Sequence, residues 1–163
     1  MDVVNGSNGV ASTSANDSTE TVKKVMKKLV EANKHDRIFE KLQVISAGDG
    51  KFVGELVIEP EHTNIYGFLH GGFIASLVDV CGSVAMGTHA NKGNGVSVDL
   101  NISFLNPGPL NETIVIETNT IKVGRTLGFV ETEIRSKASG KIIAKGSLTK
   151  HVQDSDKYSM ITA

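Results

Sequence analysis

The chain has 163 residues, of which 39% are hydrophobic and 21% are charged, and its formal net charge at neutral pH is -1. This balance is typical of one globular domain and gives no drive toward nucleic acid. The single cysteine, Cys81, excludes an intrachain disulfide, and no apolar run reaches the ~18 residues of a membrane span.

The N-terminal part of the chain is predicted to contain a disordered leader followed by a helix. Residues 1–16 are rich in Asn, Ser, Gly and Thr, and they lack the hydrophobic core of a secretory signal. Asp17 with Glu20 three residues later is typical of a helix start. Apolar residues at helical spacing then run from Val22 to Val30.

After Asp36 the hydrophobic period changes from that of a helix to that of a strand. Two short strands around the hairpin turn Asp49-Gly50 are predicted before a long apolar segment. That segment is predicted to be a helix over residues 71–86, because it is too long for a strand. Four further strands are predicted to follow, at residues 96–104, 113–123, 126–135 and 141–152.

The helix at 71–86 is apolar on every face, and a helix of that kind must be buried. An antiparallel sheet curled around it offers one apolar concave face for this purpose. We therefore predict an α+β fold in which a long central helix is wrapped by a curved antiparallel sheet of about six strands. The domain is expected to span residues 17–152, with a C-terminal tail at 153–163.

Asp79 places a carboxylate in the middle of the apolar helix, with no cation three or four residues away. A buried carboxylate is costly unless it is bound, so Asp79 is a candidate general base. A solvent-facing position or a capping role are the alternatives. The tripeptide His70-Gly71-Gly72 precedes the helix, where unpaired N–H groups favour an oxyanion, although it also occurs at ordinary loop-to-helix junctions.

The spacing of these two features predicts a homodimer. At about 1.5 Å per residue, Gly71 and Asp79 lie about 12 Å apart along one helix. A base and an oxyanion donor must both reach one reacting carbon, so the two groups of a single chain cannot serve the same carbonyl. Two sites, each shared between two copies, follow from a two-fold axis.

Other chemistries find little support in the sequence. No histidine pairs with another ligand at a zinc-type spacing, and there is no dinucleotide, Walker or nucleophile-elbow motif. We expect no metal and no cofactor, because a carboxylate with an oxyanion hole needs neither.

The segment from Asn64 to Gly72, then Asp79, then Gly95 to Ile102 resembles the hotdog-fold acyl-CoA thioesterases of the phenylacetate-pathway branch. The resemblance extends from about Val22 to Val152. It implies a hotdog fold, a role in lipid metabolism, and hydrolysis of medium- to long-chain or aryl acyl-CoA to acid and CoA. It also implies pairs of dimers. The cytoplasm is the default compartment, and the resemblance adds the mitochondrion as the alternative.

The resemblance also implies roles for individual residues. Asp79 activates water or attacks the thioester, and the Gly71 N–H polarises the carbonyl. Asn64 holds the water or the carbonyl, Ser97 lies beside the carboxylate, and His70 orients the turn. Asp79 and Ser97 come from one subunit, and Asn64 and Gly71 from its partner.

The position of Ser97 poses a problem for this assignment. Strict alternation predicts that Val96 and Val98 cover the helix while Ser97 points away from it. A bulge at the start of the strand or a contact across subunits would resolve the conflict.

Binding of CoA requires further groups. Gly72 is expected to contact substrate, and cations at loops or strand ends are candidates for the phosphates, although each fits a plain surface charge equally. These are Lys92, Arg125, Lys141, Lys150 and His151. A hydroxyacyl dehydratase and a non-catalytic acyl-CoA-binding protein remain as alternative functions.

Overall fold

The computed structural model describes residues 10–89 and 95–152, with side chains from residue 17 onward. Its two long helices and six strands follow the predicted order. No helix in these ranges is long and apolar enough to cross a membrane. The elements are α1 (Val10–Glu31), β1 (Gln43–Gly48), β2 (Lys51–Val57), α2 (Gly71–Gly87), β3 (Val96–Phe104), β4 (Thr113–Val123), β5 (Leu127–Ser136) and β6 (Ile142–His151).

The six strands form one sheet in the order β1-β2-β4-β5-β6-β3, and every neighbouring pair is antiparallel. Helix α2 packs against β2 to β6, so its apolar surface is covered on several sides, as its sequence requires. Leu77, Val78 and Val84 of α2 are fully buried, with Ile116 and Ile134 in the same core. The predicted hotdog architecture, a central helix wrapped by an antiparallel sheet, is confirmed.

Helix α1 begins at Val10 and thus extends into the segment predicted to be a disordered leader. No glycine or proline lies between Gly9 and Asp17, so nothing in the sequence breaks the helix there. The Thr19 hydroxyl donates to the Ala47 carbonyl at 3.1 Å and accepts from the Ala47 N–H at 3.0 Å, which fixes α1 on β1. Residues 1–9 and the predicted tail at 153–163 lie outside the described residues.

Strand β3 contains a bulge that changes which side chains face α2. Ser97 pairs with Lys150 and Leu100 with Leu148, so three β3 steps match two β6 steps, and the register shifts next to Val98. Directly opposed residues project to the same face. Ser97 therefore faces α2, and the prediction that Val96 and Val98 cover the helix is wrong: their exposed fractions are 47% and 58%.

Candidate active site

The predicted acid and serine meet at the middle of α2. The Ser97 hydroxyl donates a hydrogen bond to Oδ1 of Asp79 at 2.6 Å. The bulge in β3 makes this contact possible, because regular alternation would turn Ser97 away from the helix. Asp79 is partly exposed, so it combines contact with solvent and a fixed orientation, as a group that handles a proton requires.

Lys150 belongs to the same cluster, and this corrects its prediction as a surface cation for CoA. Its exposed fraction is 3%, and its Nζ donates to Ser83 Oγ at 2.5 Å and to Ser97 Oγ at 3.1 Å. Burial lowers the pKa of the Lys150 ammonium, while the negative charge of Asp79 opposes that shift. A buried ammonium that is already bonded to two hydroxyls is not available to an external phosphate.

The turn formed by His70, Gly71 and Gly72, called the glycine turn below, offers a ligand one backbone N–H rather than two. His70 caps α2: its Nδ1 accepts a hydrogen bond from the Gly72 N–H at 2.9 Å. This bond takes the Gly72 N–H away from a ligand, and the contact of Gly72 with substrate stays a prediction. The Gly71 N–H is the first of helix α2, and no described residue accepts a hydrogen bond from it. It is the donor that this helix start offers to an oxyanion.

Asn64 closes the loop that leads to the glycine turn. Its Oδ1 accepts from the N–H of Tyr66 at 2.9 Å and from that of Phe68 at 3.3 Å, an Asx-type turn. Gly67 adopts a φ of 77° in this loop, a conformation that favours glycine. Because Oδ1 holds the loop, the Nδ2 amide is the part of Asn64 left to donate to a ligand.

Within one chain these two groups of residues are far apart. Asp79 bonds to Ser97 at the start of β3, whereas a Cβ at Gly71 would lie 3.4 Å from Cε1 of Phe104 at its end. Ser97 and Phe104 are separated by about 20 Å of strand, at about 3.3 Å per residue. The carboxylate and the Gly71 N–H of the same chain therefore cannot act on one carbonyl, as the helix spacing predicted.

The other predicted CoA contacts are dispersed. Arg125 lies in the turn between β4 and β5, Lys141 just before β6 and His151 at its end. All three are exposed, and their roles stay predictions. Lys92 lies outside the described residues. In residues 10–89 and 95–152 no three His, Cys, Asp or Glu side chains form a group that could hold a metal ion.

Sequence reasoning missed Ser83, whose hydroxyl donates to the Asp79 carbonyl at 2.8 Å and accepts from Lys150. One signal was available in β6, where Lys150 falls in the alternating series of Leu148 and Val152. These two neighbours in the series are 1% and 5% exposed. A lysine on the buried face of a strand indicates a partner inside the protein.

Comparison with known proteins agrees with the resemblance of the Asn64–Ile102 motif. The family model described as "Thioesterase superfamily" matches residues 66–143. Acyl-coenzyme A thioesterase 13 from Homo sapiens is 40% identical over 134 residues, which is 82% of this chain and 96% of that protein.

Comparison with solved structures agrees with the same resemblance. Zebrafish thioesterase superfamily member 2 has a TM-score of 0.81 at 40% identity, with 82% of this chain and 97% of that chain covered. The protein smu.793 from Streptococcus mutans UA159, solved bound to acetyl CoA, has a TM-score of 0.66 at 25% identity. That match covers 71% of this chain and 90% of the other.

Proposed function

Since the chain belongs to the thioesterase superfamily and is a thioester hydrolase, we propose that it hydrolyses medium- to long-chain fatty or aryl acyl-CoA to the free acid and CoA. The carrying observation is the contact between Asp79 and Ser97, which orients a partly exposed carboxylate. The name of the human relative and the acetyl CoA bound to the streptococcal protein support CoA as the carrier of the acyl group.

In the proposed reaction, Asp79 takes a proton from a water molecule whose oxygen attacks the thioester carbon. The C–O bond forms while the carbonyl electron pair moves onto oxygen, and a Gly71 N–H stabilises that oxyanion. When the tetrahedral intermediate collapses, the C–S bond breaks and the CoA thiolate leaves and takes up the proton. Direct attack by the carboxylate gives the same products after a second step with water.

The site is proposed to be shared between two copies of the chain. β3 is an edge strand of nine residues, and Val98, Leu100 and Phe104 in it are 58%, 40% and 60% exposed. The opposite edge, β1, packs against α1. A long uncovered edge with apolar side chains favours pairing with another strand.

Antiparallel pairing of two β3 strands about their centre, near Leu100, would set the Phe104 end of one against the Val96 end of the other. Because Gly71 neighbours Phe104 and Asp79 neighbours Ser97, this brings Gly71 of the partner subunit toward Asp79. We propose this homodimer, with pairing of dimers as a further step, as the active species.

Release of free thiol from a series of acyl-CoA substrates tests the proposal. Wild type is expected to release CoA, and Asp79→Asn, which keeps the shape of the side chain but cannot accept the proton, is expected to lose at least about 100-fold in kcat. Thermal unfolding of Asp79→Asn checks that it is folded.

Three results would count against this function. Asp79→Asn that hydrolyses as fast as wild type removes the role of the carboxylate. Wild type that binds acyl-CoA without releasing thiol is a non-catalytic binding protein. Formation of an enoyl double bond from hydroxyacyl-CoA, without thiol release, identifies a dehydratase.

A further inference from the structure

We propose that Lys150, anchored by Ser83, is a positioning residue of the active site, which fixes the orientation of the Asp79 carboxylate through the hydroxyl of Ser97. The inference rests on the proposed function of Asp79 as the group that activates water. It concerns a residue that is buried and therefore touches no substrate.

Four hydrogen bonds define the arrangement. Lys150 Nζ donates to Ser97 Oγ at 3.1 Å and to Ser83 Oγ at 2.5 Å. Ser97 in turn donates to Asp79 Oδ1 at 2.6 Å, and Ser83 donates to the Asp79 carbonyl oxygen at 2.8 Å. An ammonium has donors but no acceptor, and a serine hydroxyl has a single proton. Lys150 therefore occupies the acceptor side of each hydroxyl, which directs both serine protons at Asp79.

The position of Lys150 in the sheet is a costly place for a charge. It lies on β6 between Gly128 of β5 and Ser97 of β3, and its side chain reaches Ser83 of α2. Of the groups that face it from these elements, Asp79 is the one that carries a charge. An unbranched apolar side chain would fill this position at a lower cost in free energy, because a buried ammonium loses its hydration.

The buried Lys150 ammonium acts on the Asp79 carboxylate. A hydroxyl that accepts from a cation is polarised and becomes a stronger donor to the atom it faces. Ser97 therefore holds Oδ1 firmly, while the second carboxylate oxygen receives no hydrogen bond from the described residues. That second oxygen is the one we assign to the water molecule.

Lys150→Met tests the proposal, because methionine has a similar length and no charge. We expect a folded protein in which kcat falls about 10- to 100-fold while KM changes little. A fall of this size is expected because a hydrogen bond to a charged group is lost. Lys145→Met is the matched control: this lysine lies on the same strand and is ion-paired to Glu133, and its replacement should leave kcat and KM unchanged.

A double-mutant cycle with Ser97→Ala tests the route of the effect. Because Lys150 acts through Ser97, the two losses in kcat should be far from additive. If Lys150→Met fails to fold, Lys150→Gln keeps a donor without the charge and should show a fall in kcat at little-changed KM.

Each alternative outcome is distinct. An unchanged kcat in a folded Lys150 variant would overturn the proposal. So would a raised KM at unchanged kcat, which would mean that the lysine binds CoA after all. Full activity of Asp79→Asn would refute the proposed function itself, whereas an inactive Asp79→Asn beside a fully active Lys150→Met would refute the positioning role alone.

Discussion

Replacing Gly71 with proline would remove one N–H from the active-site turn with little change elsewhere. Gly71 is the first residue of α2, a position where proline is favoured because its missing N–H has no partner within the helix. The preceding residue, His70, has φ -69° and ψ 132°, the extended conformation that a following proline demands. We therefore expect the free energy of unfolding to change by no more than about 1 kcal/mol.

The expected effect on catalysis is much larger than that on stability. Loss of one oxyanion donor lowers kcat by about 100- to 1,000-fold, or about 2.7–4 kcal/mol of transition-state stabilisation. Gly71→Ala is the matched control, since it keeps the N–H and its Cβ would meet the Phe104 ring at 3.4 Å, an ordinary contact distance. Thiol release gives the activity and thermal unfolding gives the stability. Equal activity of the two folded variants would refute the role of this N–H.

The same variant tests whether sites are shared between subunits. A mixed dimer of one Gly71→Pro chain and one Asp79→Asn chain, purified through two different tags, should have about half the wild-type activity. One of its two sites then joins an intact Asp79 to an intact Gly71, and the other carries both defects. Sites confined to single chains would leave the mixed dimer inactive, so that result would contradict the two-fold arrangement.

Two further predictions concern stability. A Cβ at Gly146 would lie 2.7 and 2.8 Å from the two γ-carbons of Val78, a branched side chain with one favoured rotamer in a helix, so Gly146→Ala should lower the free energy of unfolding by about 1–3 kcal/mol. An unchanged urea midpoint would contradict this. Burial lowers the pKa of the His62 imidazole, so the unfolded chain binds a proton that the folded state resists. Stability should therefore fall as the pH drops below about 6.5, and His62→Gln should flatten that dependence in melts across pH.

Much of the fold follows from periodicity. Alternating side chains predict the strands, and an uninterrupted apolar segment predicts a buried helix, because each pattern has one favourable way to bury its apolar atoms. The start of α1 was missed since Ser, Thr and Asn before Asp17 favour caps and turns, yet contain nothing that forbids a helix.

The site could be predicted only in part. Asp79 and the glycine turn stand out because a charge on an apolar helix and paired glycines at its start are locally unusual. The role of Lys150 could not be predicted, because its partners Ser83 and Ser97 are distant in sequence and meet it only through sheet pairing. The cap on Gly72 depends on the rotamer of His70, which no sequence pattern specifies.

The bulge next to Val98 places one extra residue between two side chains that face the helix. Ser97 and Leu100 both face α2 although three steps separate them, because Val98 has no partner of its own on β6. A chain without Val98 would pair regularly in the same register and would keep Ser97 opposite Lys150. The segment should therefore accept many exchanges of side chain at Val98, and loss of this one residue should leave the serine facing the helix.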